Sequence, residues 1–436
     1  MSPVGSPAET PPDALNCAAG DSTRGYPGAS STSSATVTTS TTGTPMDATR
    51  GFIVGTRGSA LALAQTQLVV DALTPHLSQP LDVQIITTHG DTTRAHLVDL
   101  AQQGHTGVFA NAIRRALLEG QIDLAVHSCK DLPADPCPGL EILAMPPRGA
   151  TADCLCTTAG WTLETLPEGA RVGTGSPRRA AQLLRVRPDL SIVPIRGNIE
   201  RRLRYLEEPV LNTPIGSGSG SGDGSCSDAP LDAVVLAEAG LQRLAARDTE
   251  ADTVLRYISQ RLPFLPSPAQ GALALEVRMD TTPAPLRQAL LAINHQPTLL
   301  AAIAERALLR TLHAGCELPI GAEATAQVHP QTRGVELTLR AEILSPDGRE
   351  RNAVEHTVTV PQLSWAEESA EVAAAEIAAA EVAGAESAAG LLAAAPLDID
   401  PGLVDPAYYA EAHEAQLAAA YQLGQMVARR LQANAR

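Results

Sequence analysis

The sequence is poor in lysine, in aromatic side chains and in long apolar runs. Lys130 is its one lysine, its other basic side chains are arginines, and its formal net charge is −16. This charge argues against a general nucleic-acid binder, because a polyanion is repelled unless the basic residues are concentrated in one place. No apolar run reaches the roughly 18 residues of a membrane span, and residues 1–30 contain no apolar segment typical of a secretory signal. We therefore expect a soluble, cytoplasmic protein.

Signatures of metal and nucleotide sites are missing as well. The seven cysteines are odd in number and scattered, which does not suit a disulfide framework. Cys154 and Cys156 have no second pair at zinc spacing, and the histidines show no HxH or HExxH grouping. Phosphate-binding glycine fingerprints are absent too. The sequence therefore predicts no metal site.

Three segments differ from the rest in composition. Residues 1–50 are rich in Ser, Thr, Pro and Gly and too poor in apolar side chains to offset the entropy of folding, so we predict disorder there. Gly216–Ser227 has the composition of a flexible loop insertion. Glu367–Gly390 is alanine-rich with a glutamate at every fifth position, and five helical steps rotate by about 140°, so no constant apolar face results. We expect a solvated helical insertion there.

Between these segments, β-rich runs alternate with Leu/Ala-rich helical stretches, a pattern that predicts α/β domains with largely parallel sheets. The predicted strands include Phe52–Gly55, Val83–Thr87, Asp123–Val126, Arg171–Gly173, Ser191–Ile195 and Ala233–Leu236, and the predicted helices include Leu61–Leu73, Asn111–Leu118, Ala180–Arg187 and Ile199–Leu206. From about residue 335 the pattern changes to an antiparallel pair, Val335–Leu344 and Ala353–Val360, followed by long helices that end in Glu411–Leu431. This change predicts a separate, smaller α+β domain.

Arginines follow three of the predicted strands, where ligands bind in open α/β sheets. Ser176 suits a helix N-cap and Pro177 the first helical position. Arg178 and Arg179 would then lie in the first turn, where the helix dipole disfavours a cation and the free N–H groups favour an anion. The junctions together predict a carboxylate or phosphate ligand, with ordinary surface arginine as the alternative for each residue. The other two junctions contain Arg57 with Ser59, and Arg196 with Arg201 and Arg202.

Two further segments carry candidate chemistry. Lys130 and Asp131 follow a strand that should be buried, so both side chains could face the same crevice; a chance lysine and a turn-forming aspartate are the alternatives. Cys316 follows a glycine in a tight loop and could be a nucleophile or an attachment point. Taken alone, it is more simply interpreted as a small buried thiol.

In this order and spacing, the segments resemble the porphobilinogen deaminase (hydroxymethylbilane synthase) family of tetrapyrrole biosynthesis. The resemblance extends from about residue 53 to residue 321 and continues more weakly to the C-terminus. The matching stretches are Gly-Thr-Arg57-Gly-Ser59, Thr-His-Gly-Asp91, His-Ser-Cys-Lys130-Asp131-Leu-Pro, Gly-Ser176-Pro-Arg178-Arg179, Ile-Arg196-Gly-Asn198, Leu-Gln-Arg243-Leu, Pro-Ala-Gln270-Gly, Ala-Glu305-Arg306 and Gly-Cys316-Glu-Leu-Pro.

The resemblance implies a monomer of the α/β class. Two of its domains would have the fold of type-2 periplasmic binding proteins, with mixed, mainly parallel sheets, and a small C-terminal α+β domain would carry a covalent cofactor. The implied boundaries are an extension at 1–50, domain 1 at 51–148 with a return segment at 272–292, domain 2 at 149–271 with an insertion at about 212–229, and the cofactor-carrying domain at 293–436 with an insertion at about 366–400.

The implied cofactor is dipyrromethane, joined by a thioether to Cys316. The implied enzyme adds four porphobilinogens to this primer with loss of ammonia, and then releases linear hydroxymethylbilane by hydrolysis. Asp131 matches the catalytic carboxylate, which would stabilise positive charge on the pyrroles and relay protons. Arginines suit the acetate and propionate groups of the pyrroles. The resemblance assigns cofactor binding to Lys130, Ser176, Arg178, Arg179 and Arg243, and substrate binding to Arg57, Ser59, Arg196, Arg202 and Gln270.

One loop departs from the family pattern. Many members have Gly-Gly-Lys-Gly-Leu-Phe in the active-site loop, whereas residues 104–109 here read Gly-His-Thr-Gly-Val-Phe, a form similar to the actinobacterial branch. Two alternatives stay open at this point. One is a non-catalytic anion-binding protein of the same fold, and the other is a relative that keeps the cofactor but turns over poorly.

Overall fold

The computed structural model describes residues 50–87, 110–208, 229–247, 252–314, 318–328, 335–360 and 406–434. Its strands are β1 Phe52–Thr56, β2 Leu81–Ile85, β3 Leu124–Ser128, β4 Leu140–Ala144, β5 Asp153–Cys156, β6 Arg171–Gly173, β7 Ser191–Val193, β8 Ala233–Ala237, β9 Ile258–Leu262, β10 Leu273–Arg278, β11 Ile320–Val328, β12 Val335–Leu344 and β13 Arg351–Val360. Its α-helices are α1 Ala60–Leu73, α2 Asn111–Leu118, α3 Pro177–Val186, α4 Ile199–Arg204, α5 Glu238–Arg247, α6 Asp252–Leu255, α7 Ala284–Ala292, α8 Gln296–Thr311 and α9 Pro406–Asn434.

The first sheet has the strand order β2-β1-β3-β10-β4. β1 is parallel to β2 and β3, whereas β10 is antiparallel to β3 and β4. Four strands therefore share one direction, and the strand that opposes them returns from much later in the chain. The core of this sheet is aliphatic, as the scarcity of aromatic residues requires, and it includes Leu124, Val126, Leu275, Val277 and Leu290.

The second sheet, β7-β6-β8-β5-β9, repeats this arrangement. β6 is parallel to β7 and β8, and β5 is antiparallel to β8 and β9. β5 is the first strand after the chain leaves the first sheet, and β10 is the first strand after it returns. Each sheet therefore contains one strand that is antiparallel to its neighbours, and the chain reaches this strand directly from the other sheet. This paired architecture confirms the fold that the resemblance implied.

Two crossovers, residues 145–152 and 263–272, connect the sheets and lie against each other. The Gly149 N–H donates to the Gly271 carbonyl oxygen over 3.1 Å. Gly271 has φ +86°, and a Cβ atom there would lie 2.5 Å from the Gly149 oxygen. Only glycine permits this approach, so Gly271 allows the two crossovers that connect the first and second sheets to pack against each other.

The third sheet, β11-β12-β13, is antiparallel throughout, and α8 and α9 cover one of its faces. Its core contains Leu308, Leu337, Leu339, Leu423 and Val427. The predicted antiparallel pair and C-terminal helix are thus confirmed, although β13 begins two residues earlier than predicted. None of the helices in the described segments has the length and apolar character needed to cross a bilayer.

Most predicted elements match the described ones within two residues. The largest difference is at α9, which was predicted to begin at Glu411 but begins at Pro406. The helical stretch predicted at Ala180–Arg187 begins at Pro177, which is the first helical position that the Ser176-Pro177 junction predicts. Residues 1–49 and the two predicted insertions, Gly216–Ser227 and Glu367–Gly390, lie outside the described residues.

Candidate active site

The first part of the site lies where β3 ends. A short 3-10 turn, Cys129–Asp131, follows this buried strand. The Cys129 N–H donates to the Ala272 carbonyl oxygen over 3.0 Å and so ties the turn to the second crossover. Lys130 is half-buried, whereas Asp131 is exposed. The turn therefore presents a carboxylate beside the chain's one lysine.

The second part lies at the start of α3 and has the predicted local structure. Ser176 is the N-cap, its Oγ accepts the Arg179 N–H over 3.4 Å, and Pro177 is the first helical residue. Arg178 and Arg179 occupy the first turn, as predicted, but both are buried, with exposed fractions of 4% and 6%. Burial of two adjacent cations requires a counter-charge inside the protein.

That counter-charge is Asp153, which the sequence analysis missed. Its Oδ2 accepts from Arg178 Nη2 over 2.8 Å, and its Oδ1 accepts from Arg179 Nη2 over 2.6 Å. Burial acts to raise the pKa of Asp153, but the two guanidinium charges outweigh it and hold the pKa well below its usual range. An aspartate directly before the apolar run Cys154–Cys156 was a usable signal, since buried carboxylates are almost always paired.

Asp153 does not accept from every N–H group of the two arginines. Arg179 Nη1 donates to the Val235 carbonyl oxygen over 2.9 Å, but Arg179 Nε is buried and has no hydrogen-bond partner among the described residues. An orphaned donor of a charged group is costly to bury. This atom is therefore an observation that favours an anionic ligand at the start of α3.

The charges of the two parts act on one another. Burial lowers the pKa of Lys130 to about 8; the Asp131 charge opposes this shift and the Arg179 charge reinforces it. Burial and the Arg179 charge likewise lower the pKa of Arg202 to about 10, and Asp131 again opposes the shift. Lys130, Arg179 and Arg202 therefore form one cationic cluster, in which the Asp131 charge acts on Lys130 and Arg202, and an anion that entered it would relieve the mutual repulsion of the cations.

The junction after β7 contributes Arg196 and Arg202. Arg202 lies in the last turn of α4, and its Nε donates to the Gly197 carbonyl oxygen over 2.9 Å. Gly197 has φ +101°, which glycine adopts without strain and which turns the chain sharply before the helix. Arg196 is half-buried, and its positive charge also lowers the pKa of Arg202.

Arg57 and Ser59 lie at the end of β1, on the same edge of the first sheet as Asp131. Ser59 is the N-cap of α1, and its Oγ accepts the Ala62 N–H over 3.3 Å. A capping hydroxyl keeps its own hydrogen available to a ligand. Ser59 and Ser176 are thus equivalent positions in the two sheets, and each starts a helix next to an arginine.

Gln270 connects the two parts of the site, and its predicted role as a substrate contact stays a prediction. Its side chain is fully buried. The Nε2 group donates to the Thr151 carbonyl oxygen over 2.7 Å and to Asp153 Oδ1 over 2.9 Å, and Oε1 accepts from Lys130 Nζ over 3.2 Å. Gln270 therefore links the lysine of the first sheet to the aspartate of the second.

Arg243 lies beside the crossovers. Its Nη2 donates to the Gly271 carbonyl oxygen over 2.6 Å, and burial lowers its pKa to about 10. One face of this half-buried guanidinium is thus occupied by the backbone of the second crossover. Its position next to the Lys130–Gln270 contact is compatible with cofactor binding, which stays a prediction.

The crossovers are also bonded to α8. Arg148 Nη1 and Nη2 donate to the two carboxylate oxygens of Glu305 over 2.7 and 2.9 Å, and Arg148 Nε donates to the Gln270 carbonyl oxygen over 2.8 Å. Glu305 is fully buried and also accepts from the Ala324 N–H over 2.6 Å. A bidentate buried pair of this kind fixes geometry strongly. Through these bonds, α8 and the third sheet are attached to the two crossovers next to Gln270.

Cys316 and the loop at residues 104–109 lie outside the described residues. The structure therefore does not test whether the thiol reaches the cluster, and the attachment of a cofactor to Cys316 stays a prediction.

Two family models match this chain. Residues 52–284 match the porphobilinogen deaminase dipyrromethane cofactor-binding domain, and residues 299–380 match the porphobilinogen deaminase C-terminal domain. Among curated proteins, the porphobilinogen deaminase of Thermobifida fusca is 42% identical over 317 residues, which cover 73% of this chain and 88% of that protein. The enzyme of the same name from Cutibacterium acnes is 46% identical over 331 residues and covers 74% and 92%.

The matched ranges cover both sheets of the site, and the third sheet with most of α8. The chain spans most of the length of each relative, and the matched ranges include Asp131, Arg178, Arg202 and Cys316. The chain is therefore a member of the porphobilinogen deaminase family, with that family's dipyrromethane cofactor-binding and C-terminal domains.

Proposed function

We propose that this chain is a hydroxymethylbilane synthase in which Asp131 is the catalytic carboxylate. Four porphobilinogen molecules would condense one after another on the dipyrromethane primer, each with loss of ammonia, and hydrolysis would release the linear tetrapyrrole. The observation that carries the proposal is the position of Asp131, an exposed carboxylate in the turn after β3, next to Lys130, whose charge acts on Lys130 and Arg202. We further propose that the enzyme acts as a cytoplasmic monomer.

The cations would bind the carboxylates of the pyrroles. Each porphobilinogen carries an acetate and a propionate, and arginine forks bind carboxylates through two parallel hydrogen bonds. All four residues assigned to the incoming substrate are half-buried, and they lie at or after the junctions that follow β1 and β7: Arg57, Ser59, Arg196 and Arg202. The lowered pKa values of Lys130 and Arg202 support this role, since they indicate positive charge that the protein does not fully neutralise.

The cofactor site is supported by the chemistry of its donors. Lys130, Ser176, Arg178, Arg179 and Arg243 would hold the dipyrromethane carboxylates. The buried Nε of Arg179 suits such a group, because it has no partner among the described residues. When bound through Cys316, the dipyrromethane supplies a pyrrole carbon to which the first substrate can be joined.

Asp131 would act on the pyrrole nitrogens of the substrate. Loss of ammonia and formation of the new carbon–carbon bond place positive charge on the ring N–H groups. A carboxylate that accepts hydrogen bonds from these groups stabilises the charge, and it can pass the released proton to solvent because it is exposed. Lys130 and Arg202 would hold the substrate carboxylates near Asp131 while this happens.

We propose that the domains follow the three sheets. The first sheet with α7 corresponds to residues 51–148 and 272–292, the second sheet to 149–271, and the third sheet with α8 and α9 to 293–436. The insertions at about 212–229 and 366–400 receive no role in this proposal.

An intact-mass measurement on the purified protein tests the proposal. The measured mass should exceed the sequence mass by one dipyrromethane, and Cys316→Ser should remove this excess. Incubation with porphobilinogen should give a linear tetrapyrrole and ammonia. A mass without the excess, together with porphobilinogen binding but no product, would instead indicate a non-catalytic anion-binding protein.

A further inference from the structure

The third sheet is packed directly against the helix that carries Arg178 and Arg179. The turn between β12 and β13 contains Gly348, which has φ +71°. A Cβ atom at this position would lie 2.2 Å from the Ala181 carbonyl oxygen and 2.6 Å from the Arg185 nitrogen. Only glycine allows such an approach of two backbones, so the turn is closely fitted to α3.

A chain of side-chain hydrogen bonds crosses the same contact and ends at Arg178. Arg178 Nη1 donates to Gln182 Oε1 over 2.8 Å, and Gln182 Nε2 donates to Glu342 Oε1 over 2.7 Å. Glu342 Oε2 accepts from Arg351 Nε over 2.6 Å. We call these four residues the Arg178 relay. Gln182 and Glu342 are 2% and 5% exposed, so solvent does not compete for their bonds.

The relay permits a single orientation of the Gln182 amide. Its oxygen faces a guanidinium, which can only donate, and its nitrogen faces Glu342 and the Leu265 carbonyl oxygen, which can only accept. A flipped amide would lose all three bonds. Burial lowers the pKa of Arg178, whereas the charges of Asp153 and Glu342 act to raise it, so Glu342 also influences Arg178 electrostatically.

We propose that Gln182 and Glu342 are positioning residues for Arg178. Asp153 holds Nη2, and Gln182 holds Nη1 together with the Leu265 carbonyl oxygen, so that they fix the plane of the guanidinium and the direction of its remaining N–H groups. The C-terminal domain, through Glu342, thereby sets the geometry of a cofactor-binding arginine that belongs to the second sheet. This inference rests on the proposed function, in which Arg178 binds a cofactor carboxylate.

The test compares three substitutions of the relay and one double variant. Glu342→Leu removes the acceptor, Gln182→Met removes both amide functions at similar volume, and Glu342→Gln keeps an oxygen for Gln182. The readouts are the fraction of purified protein that carries the dipyrromethane mass, and KM and kcat measured separately with porphobilinogen.

We expect Glu342→Leu and Gln182→Met each to raise KM about tenfold, the effect of losing one hydrogen bond to a charged group, and to lower the cofactor-bearing fraction. Glu342→Gln should change KM by less than about twofold, because a neutral acceptor remains. The Gln182→Met/Glu342→Leu double variant should be no worse than Gln182→Met alone, since residues in one network are not additive.

Leu183→Val is the matched control for a purely structural effect. Leu183 is next to Gln182 on the same helix, but its side chain is fully buried in the core of the second sheet, in a cluster that contains no relay residue. Its substitution should lower the melting temperature without changing KM or the cofactor-bearing fraction. If Glu342→Leu or Gln182→Met does not yield folded protein, Glu342→Asp provides a milder test, because it keeps the charge but withdraws it from Gln182.

The inference is overturned if Glu342→Leu and Gln182→Met leave KM and cofactor content unchanged, or if their effects add in the double variant. Arg178→Gln separates this failure from a failure of the proposed function. If Arg178→Gln itself retains full cofactor and a normal KM, the assignment of Arg178 to the cofactor site is wrong. If Arg178→Gln lowers the cofactor-bearing fraction and raises KM while the relay variants change neither, only the positioning role of Gln182 and Glu342 is refuted.

Discussion

Asp131 and Asp153 both act on the charge of Lys130, but they differ in almost every physical respect. Asp153 is 1% exposed and accepts hydrogen bonds from Arg178, Arg179 and Gln270. Asp131 lies in an exposed turn at the end of β3. The carboxylate of Asp153 is bonded to the arginines that it holds in place, whereas the carboxylate of Asp131 is accessible to a ligand. A carboxylate in an anion-binding site can thus serve either the structure or the reaction, and burial distinguishes the two.

The largest effect on activity should come from Asp131. Asp131→Asn should lower kcat about 10²–10⁴-fold, the usual contribution of a catalytic proton-transfer group. It should leave the melting temperature nearly unchanged because the side chain is exposed. Steady-state product formation and thermal unfolding of the same preparation check both halves of the prediction. Turnover near that of the unsubstituted enzyme would contradict the assignment.

The largest effect on stability should come from Asp153. Asp153→Asn leaves two buried guanidinium groups without a counter-charge, which should cost about 3–5 kcal/mol of unfolding free energy. Urea unfolding at neutral pH measures this loss. Asp189→Asn is the matched control: it removes the partner of Arg187 in a pair that is 20% and 27% exposed, and a surface pair contributes about 0–1 kcal/mol. Equal losses in the two variants would contradict the comparison.

Acid should remove the same contribution from the unsubstituted protein. The pKa of Asp153 is depressed in the folded state. Its stabilisation is therefore present above the pKa of an unfolded aspartate, about 3.9, and is lost as the pH falls toward the folded-state value. Unfolding midpoints measured from neutral pH downward should decline more steeply in the unsubstituted protein than in Asp153→Asn. Parallel curves would show that Asp153 is not the group responsible.

Loss of the Lys130 charge should weaken substrate binding at basic pH. Its pKa is lowered to about 8, so the free enzyme loses this positive charge as the pH rises through that value, and substrate carboxylates bind less well. We expect kcat/KM, which reports the free enzyme, to fall above about pH 8. Lys130→Arg, which stays charged, should shift the fall to higher pH. If the pH dependence of kcat/KM is unchanged in Lys130→Arg, the fall must come from the titration of another group.

The smallest expected effects concern the two capping serines. Ser59→Ala and Ser176→Ala each remove an acceptor from a helix N-terminus, at a cost of about 0.5–2 kcal/mol. Thermal unfolding of the two variants compares the equivalent junctions of the first and second sheets. If Ser176→Ala also raises KM while Ser59→Ala does not, the ligand is held mainly by the second sheet.

Much of the site could be predicted because its signals are local. Ser176 and Pro177 mark a helix start within two residues, and their capping geometry follows from chain neighbours alone. The hairpin of β12 and β13 has the same advantage, since its turn residues are adjacent. The partners of Asp153, Gln270 and Glu342 had no such local signal, although the apolar residues after Asp153 indicate that its carboxylate is buried and paired. Each meets its partner across a reversed strand or a separate sheet, so no spacing in the sequence relates them.

The sequence by itself determined the cation-bearing strand ends, the capped helices and, through the ordered motifs, the family, because these depend on neighbouring residues. Only the tertiary structure decided which cations keep their charge available. Arg178 and Arg179 look equivalent to Arg57 and Arg202 in the sequence, yet a carboxylate 25 residues before Arg178 is bonded to both members of the first pair and offsets part of their charge. The reason is physical: the effective charge of a side chain depends on burial and on opposite charges within a few ångströms, and folding alone creates both.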